Sequence, residues 1–231
     1  MNIINELKRV ADKDKVLTLQ NFFKTKKGQY GYGDKFLGIT VPKIRSISKK
    51  YHNLTQSELK TLLKDPYHEV RLAGVMVLVS KYETTKHASV RKKLFDFYVQ
   101  NSRLINNWDL VDVSAYKIVG NFLYGKDKTV LYKLAKSENL WQRRISVVST
   151  YYFIKNKEHK VTFKISKMLL RDKEDLMHKA VGWMLREVGK ICGEDVLESF
   201  LKDNIKKMPR TTLRYAIERM SFEKRKFYLN M

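Results

Sequence analysis

The chain has 231 residues, of which 47 are Lys or Arg and 24 are Asp or Glu, so its formal net charge is +23. A hydrophobic fraction of 43% supports an ordinary core and excludes a chain that is disordered throughout. The positive charge indicates a polyanionic partner, either nucleic acid or an acidic membrane surface, and charge alone does not separate the two. A general lysine richness of the source proteome is the alternative explanation.

The cysteine and histidine content argues against a metal protein. The single cysteine, Cys192, excludes an intrachain disulfide and a cysteine cluster for zinc, and the five histidines lack ligand spacing. The most apolar stretch, residues 74–79, is too short to cross a bilayer. We therefore expect a cytoplasmic protein with no cofactor and no metal that does not act at a membrane.

Helical signals follow one another along the chain. Residues 1–51 are the least regular part, with a glycine-rich loop at 28–38, and we expect them to form a cap or a mobile arm. Prolines at Pro42, Pro66 and Pro209 mark helix starts. Between them, apolar residues recur at intervals of three and four, which is typical of helices, and no linker interrupts them. The sequence predicts an all-α chain forming a single domain over residues 1–231.

A repeat of helical segments is visible when the chain is aligned with itself. In register, the segments begin at Arg71, Asp109, Arg144, Lys179 and Arg214, with steps of 38, 35, 35 and 35 residues. This period suits a pair of helices and predicts an α-solenoid, with an irregular helical bundle as the alternative. Since each segment starts with a charged residue, we expect these starts to line one surface and to form a concave basic cleft.

The segment WDLVD contains the first candidate site. On a helix, Trp108 and Asp112 share one face, which holds an aromatic ring beside a carboxylate. The alternative is structural, since Asp109 could cap this helix and an acid such as Asp112 suits a helix start.

Two later segments also combine tryptophan with arginine. In KAVGWMLRE, Trp183 and Arg186 occupy neighbouring positions of one helix face, and we expect Gly182 to make room beside the indole. In NLWQRR, Arg143 and Arg144 begin a repeat and could hold a phosphate, whereas Trp141 is equally consistent with a core position. Ordinary helical packing would also account for these segments.

Together the segments resemble the AlkD family of alkylpurine DNA glycosylases. The resemblance begins at FLGITVPKIR, residues 36–45, and continues through WDLVD and NLWQRR to KAVGWMLRE. It implies a fold of HEAT-like helical repeats. It also places the family's catalytic Trp, Asp and Trp on Trp108, Asp112 and Trp183.

The resemblance further implies a DNA-binding set. The family's phosphate-binding arginines fall on Arg144 and Arg186, beside Arg143 and Lys179, which we expect to contribute. Phe22 stands where the family has a tyrosine that flanks the DNA. Two further family aromatics are replaced, by Asp175 and Leu176.

The function implied is a monomeric enzyme that removes cationic alkylated purines, such as 3-methyladenine and 7-methylguanine, from double-stranded DNA. In the family, the damaged base stays stacked and the sugar is approached from outside, so no deep pocket is required. The alternative is a non-catalytic helical-repeat protein that binds nucleic acid or serves as a scaffold. A role at a membrane surface is a third hypothesis, and no amphipathic face with an exposed apolar side favours it.

Overall fold

The computed structural model describes residues 2–231, and all of its regular elements are helices, which confirms the predicted all-α fold class. Between residues 2 and 231 there is no strand, and Lys35 and Tyr67 form an isolated bridge. The helices are α1 (Ile3–Arg9), α2 (Lys13–Phe22), α3 (Val41–Lys49), α4 (Gln56–Leu63), α5 (His68–Thr84), α6 (Ala88–Gln100), α7 (Trp108–Asp112), α8 (Asn121–Leu123), α9 (Thr129–Ala135), α10 (Leu140–Ser149), α11 (Tyr151–Lys155), α12 (Lys160–Leu169), α13 (Asp175–Ile191), α14 (Glu194–Asn204), α15 (Arg210–Ala216) and α16 (Phe222–Asn230). Short 3₁₀ turns follow α6 and α14, and a wide helical turn precedes α8.

The chain packs as two compact units, one ending at Ser114 and the other running from Ala115 to Met231. In the first unit, α3 and α4 pack against α5, and α1 packs against α3. Helix α5 is buried on nearly all sides because residues 72–79 are apolar around the whole circumference. It therefore forms the centre of this unit.

The second unit consists of stacked helix pairs. Helix α9 packs against α10 and α12 packs against α13, while α10, α13 and α15 lie side by side in that order. Helices α12 and α13 each have one apolar face, which is the face they bury. One pair for each step of 35 residues explains the period in the sequence.

The aligned repeat starts fall within the first five residues of α5, α7, α10, α13 and α15. The expectation that these charged residues line one surface is nevertheless wrong for Arg71 and Arg144, which are only 4% and 5% exposed. Arg71 Nη1 donates to the carbonyls of Asp65 and Pro66, and Arg144 Nη1 donates to the carbonyl of Leu176. Arg71 thus satisfies carbonyl groups in the connection before α5, and Arg144 satisfies one at the start of α13, which draws both side chains inward.

The N-terminal segment is packed into the first unit. Glu69 of α5 is buried, and its carboxylate accepts hydrogen bonds from the backbone N–H groups of Leu37, Gly38 and Ile39 at 3.0, 2.9 and 3.2 Å. Three hydrogen bonds from backbone amides offset the free-energy cost of burying this carboxylate. Glu69 thus fixes residues 37–39 directly before α3.

Across the described part of the chain, no helix has both the length and the apolar character that crossing a membrane requires.

Candidate functional site

The helix α7 is positioned by its N-cap residue. Asn107 is completely buried, its Oδ1 accepts from the N–H of Trp108 at 2.8 Å, and its Nδ2 donates to Asp34 Oδ2 at 3.0 Å. The suggestion that Asp109 caps this helix is therefore wrong. Asp109 lies inside α7, where its Oδ2 is 2.8 Å from His68 Nε2.

Trp108 lies in an aromatic cluster of the first unit. Its ring stacks on Phe23, with centroids 5.4 Å apart and planes at 19°, and meets the edge of Phe22 at 5.9 Å. Phe23 is buried, whereas Phe22 is 61% exposed and Trp108 is half-buried. Two residues that sequence analysis selected from separate segments, Phe22 and Trp108, are therefore in contact and partly open to solvent.

A buried charge network, which no sequence motif predicts, lies next to the aromatic cluster of Trp108. His68 stands between Asp109, at 2.8 Å, and Asp34, at 3.5 Å, and Arg71 Nη2 lies 2.7 Å from Asp34 Oδ1. Burial alone would lower the pKa of His68, but the hydrogen bond with Asp109 and the nearby carboxylate of Asp34 outweigh it and raise the pKa to about 9. Burial likewise opposes ionisation of Asp34, yet His68, Arg71 and Asn107 hold its pKa below the usual value. The network is therefore charged at neutral pH.

Asp112 is the last residue of α7 and is half-buried. Behind it, the hydroxyl of the buried Tyr98 lies 2.8 Å from Ser114 Oγ, which itself donates to the carbonyl of Leu110 at 2.6 Å, so Tyr98 is the donor of the pair. Burial raises the pKa of Tyr98, and the negative charge of Asp112 raises it further. The carboxylate therefore has a neutral phenol as its neighbour.

Trp183 belongs to a second aromatic group, in the second unit. Its ring centroid is 6.2 Å from that of Tyr151, which meets Tyr116 edge to face at 5.3 Å, and all three residues are half-buried. Burial raises the pKa of Tyr151, and Glu187 and Tyr116 raise it further. Nothing in the sequence distinguishes these two tyrosines from the other members of a set of 13, so local patterns do not predict their role.

Gly182 lies where two helices of the second unit pack closely together. A Cβ atom at this position would lie 2.5 Å from Cβ of Tyr215 and 2.6 Å from the carbonyl oxygen of Thr212. The glycine therefore allows close approach of α13 and α15. Trp141 is buried, which confirms the core alternative for this residue.

Arg143 and Arg144 of α10 have partners within the second unit. Arg143 forms a two-point ion pair with Asp172 at 2.6 and 3.1 Å, and its Nη1 donates to the carbonyls of Ser137 and Glu138. Arg144 is buried and donates to the carbonyl of Leu176. Both guanidinium groups brace α10 against neighbouring segments.

The two cations selected on α13 are also paired with acids. Arg186 binds Glu218 and lies 3.4 Å from Glu187, and Lys179 lies 2.8 Å from Asp175. All of these residues belong to the second unit, as does Trp183. A phosphate that binds Arg186 or Lys179 must share or replace a carboxylate.

No group of three or more His, Cys, Asp or Glu side chains capable of holding a metal occurs within residues 2–231.

Comparisons with known proteins point to one family. The model of a family described as DNA alkylation repair enzyme matches residues 3–220. Among the curated proteins, no relative matches. A solved structure described as a predicted DNA alkylation repair enzyme from Enterococcus faecalis has 16% identity and a TM-score of 0.70, covering 92% of this chain and 97% of its own.

A second solved structure, AlkD2 from Streptococcus mutans, has 17% identity and a TM-score of 0.58, covering 90% of this chain and 99% of its own. At these identities the two likenesses establish a shared helical-repeat fold.

Proposed function

Because the chain belongs to the family of DNA alkylation repair enzymes, we propose that it is a DNA glycosylase that excises cationic alkylated purines from duplex DNA. Its substrates would be bases such as 3-methyladenine and 7-methylguanine, and it would act as a cytoplasmic monomer without a cofactor. The observation that carries the proposal is Asp112, a half-buried carboxylate on the same short helix as the half-buried Trp108.

The chemistry follows from the charge of the substrate. A purine alkylated at N3 or N7 is cationic, so it leaves with the electron pair of the C1′–N bond and needs little acid catalysis. The barrier lies in the sugar, which gains oxocarbenium character as this bond breaks. An ionised carboxylate beside C1′ stabilises that charge more than it stabilises the ground state. We assign this role to Asp112.

Asp112 would also orient the water that completes the reaction. The water oxygen forms the new bond to C1′ and its proton passes to solvent or to the carboxylate, so the product is an abasic sugar. A thousandfold contribution to the rate corresponds to about 4 kcal/mol, which is an ordinary amount for a charge held in place beforehand.

Trp108 and Trp183 would present ring faces to the cationic nucleotide, an attraction of about 0.5–2 kcal/mol for each contact. Both rings are half-buried, which supports an approach to the nucleotide from its outside and requires no deep pocket. Phe22, at the edge of Trp108, extends this aromatic surface. Arg186 and Lys179 would contact the DNA backbone, whereas Arg143, which is paired with Asp172, and the buried Arg144 would act indirectly by holding α10 in place.

The test is single-turnover release of 7-methylguanine and 3-methyladenine from methylated duplex DNA. We expect Asp112→Asn to reduce the rate by about a thousandfold, because an amide carries no charge to stabilise the sugar. Asp203→Asn, at an exposed position of α14, is the matched control and should leave the rate unchanged. The melting temperature of each variant checks its fold.

Two outcomes would contradict the proposal. Release by Asp112→Asn at the native rate would remove the carboxylate from the mechanism. Duplex binding without base release by the native chain would favour the non-catalytic alternative.

A further inference from the structure

The glycine-rich segment between α2 and α3 carries an accessible concentration of positive charge. Lysines 24, 26, 27 and 35 are all exposed, and Tyr32 in their midst is 66% exposed. Within residues 2–231, none of these four ammonium groups forms an ion pair, in contrast to Arg143, Arg186 and Lys179. We call residues 24–35 the basic loop.

The basic loop has a defined backbone. The N–H of Gly31 donates to the carbonyl of Lys24 at 3.1 Å, and the hydroxyl of Tyr30 donates to the carbonyl of Phe22 at 3.3 Å. A Cβ atom at position 31 would lie 2.3 Å from the carbonyl oxygen of Phe23, so only glycine permits this closure. The loop is therefore ordered before any ligand binds.

Both ends of the basic loop are attached to the segment that carries Trp108. Directly before its first residue, Phe23 stacks on the Trp108 ring at 5.4 Å. At its end, Asp34 accepts from Asn107 at 3.0 Å and pairs with Arg71 at 2.7 Å. Since Asp34 is the one acidic residue of the loop and is neutralised in this network, the outward charge of the loop comes from its lysines.

We propose that the basic loop binds backbone phosphates of duplex DNA next to the nucleotide that Trp108 contacts, with the Tyr32 ring packing against the sugar edge. The inference rests on the proposed function for the identity of the ligand as duplex DNA. Unpaired lysines on an ordered loop are suited to this role, because binding phosphate requires no internal ion pair to break and releases condensed counterions. The loop would hold undamaged backbone while Asp112 acts on the lesion.

The test compares two triple variants with the same change of charge. One replaces three loop lysines, K24Q/K26Q/K27Q, and the other replaces three exposed lysines of the second unit, K202Q/K206Q/K207Q. Dissociation constants for an unmodified duplex are measured by fluorescence anisotropy from about 50 mM to about 200 mM salt. All replaced side chains are exposed, so equal melting temperatures check that both variants fold.

We expect the loop variant to weaken binding at least about tenfold at low salt and to reduce the slope of log Kd against log salt by about 2 to 3, since each lost phosphate contact removes about 0.9. The control should change the affinity by less than about twofold. Tyr32→Ala should weaken binding and Tyr32→Phe should retain it, because the proposed contact needs the ring and not the hydroxyl.

Equal effects of the two triple variants would overturn the inference, because the loop would then contribute only to the overall charge. If the loop variant lost binding to anionic phospholipid vesicles and kept the native affinity for duplex, the inference would be overturned in favour of a lipid surface. Base release is scored separately from binding. If the native chain releases the base and the two triple variants bind duplex equally, only the loop inference fails. If the native chain releases no base and only the loop variant loses duplex affinity, only the glycosylase proposal fails.

Discussion

The position of Arg186 near Trp183 can be read from the sequence, whereas its ion-pair partners are known only from the structure. The sequence places an arginine three residues after Trp183, and the structure pairs it with Glu218 and, at 3.4 Å, with Glu187. The carboxylate of Glu218 is 57% exposed, so this pair is open to solvent and weak. Glu218 therefore competes with DNA phosphate for the same guanidinium group.

Glu218→Gln should tighten binding of unmodified duplex about two- to fivefold, the range that corresponds to an exposed ion pair. Arg186→Ala should weaken binding about equally across sequences and make its salt dependence shallower, as expected of a phosphate contact. Anisotropy titrations measure both effects. Glu174→Gln removes an exposed carboxylate at the start of α13 and controls for net charge. Equal tightening by Glu174→Gln and Glu218→Gln would show that the pairing with Arg186 is irrelevant.

At the scale of elements, α7 is too short to be stable alone, because a helix of five residues cannot offset the cost of its own nucleation. Its position depends on the Asn107 cap, on Phe23 stacked against Trp108, and on the pair of Asp109 with His68 of α5. The helix that carries the candidate catalytic groups is thus held by side chains from other elements.

The His68 network should make stability depend on pH. The groups facing His68 are Asp34 from the basic loop, Asp109 from α7 and Arg71 from α5. Because the pKa of His68 is raised from 6.5 to about 9, its contribution is complete below pH 6.5 and is lost as the pH rises through 9. The contribution is on the order of 3 kcal/mol.

His68→Gln should therefore lower the melting temperature most near pH 6, and its deficit relative to the native chain should shrink towards pH 10. Thermal unfolding followed by circular dichroism across this range measures the difference. His87→Gln, at an exposed histidine, is the control and should show no such trend. A deficit that stays constant with pH would mean that His68 acts through packing alone.

At the scale of the whole molecule, the net charge of +23 has two opposite consequences. Like charges repel one another in the folded chain, so screening by salt should raise the melting temperature of the free protein. Salt should at the same time weaken duplex binding, because releasing condensed counterions into a more concentrated salt solution gains less entropy. Duplex DNA at low salt should raise the melting temperature, since it binds the folded state.

These trends are measured by thermal unfolding with and without unmodified duplex from about 50 mM to about 200 mM salt. The two melting curves should converge as salt increases. If salt left the melting temperature of the free protein unchanged, self-repulsion would have no part in its stability. If the stabilisation by duplex were independent of salt, the positive charge would have no part in binding.

Helical periodicity and the 35-residue repeat were sufficient for the sequence by itself to determine the all-α fold class and the placement of Trp108 and Asp112 on one helix, because both depend on neighbours within a few residues. The tertiary structure alone decided which charges are buried and with what they pair. Asn107 and Asp34 are 73 residues apart, His68 and Asp109 are 41 apart, and Arg143 and Asp172 are 29 apart. Such pairs form only when the helices pack against one another, so local periodicity does not predict them.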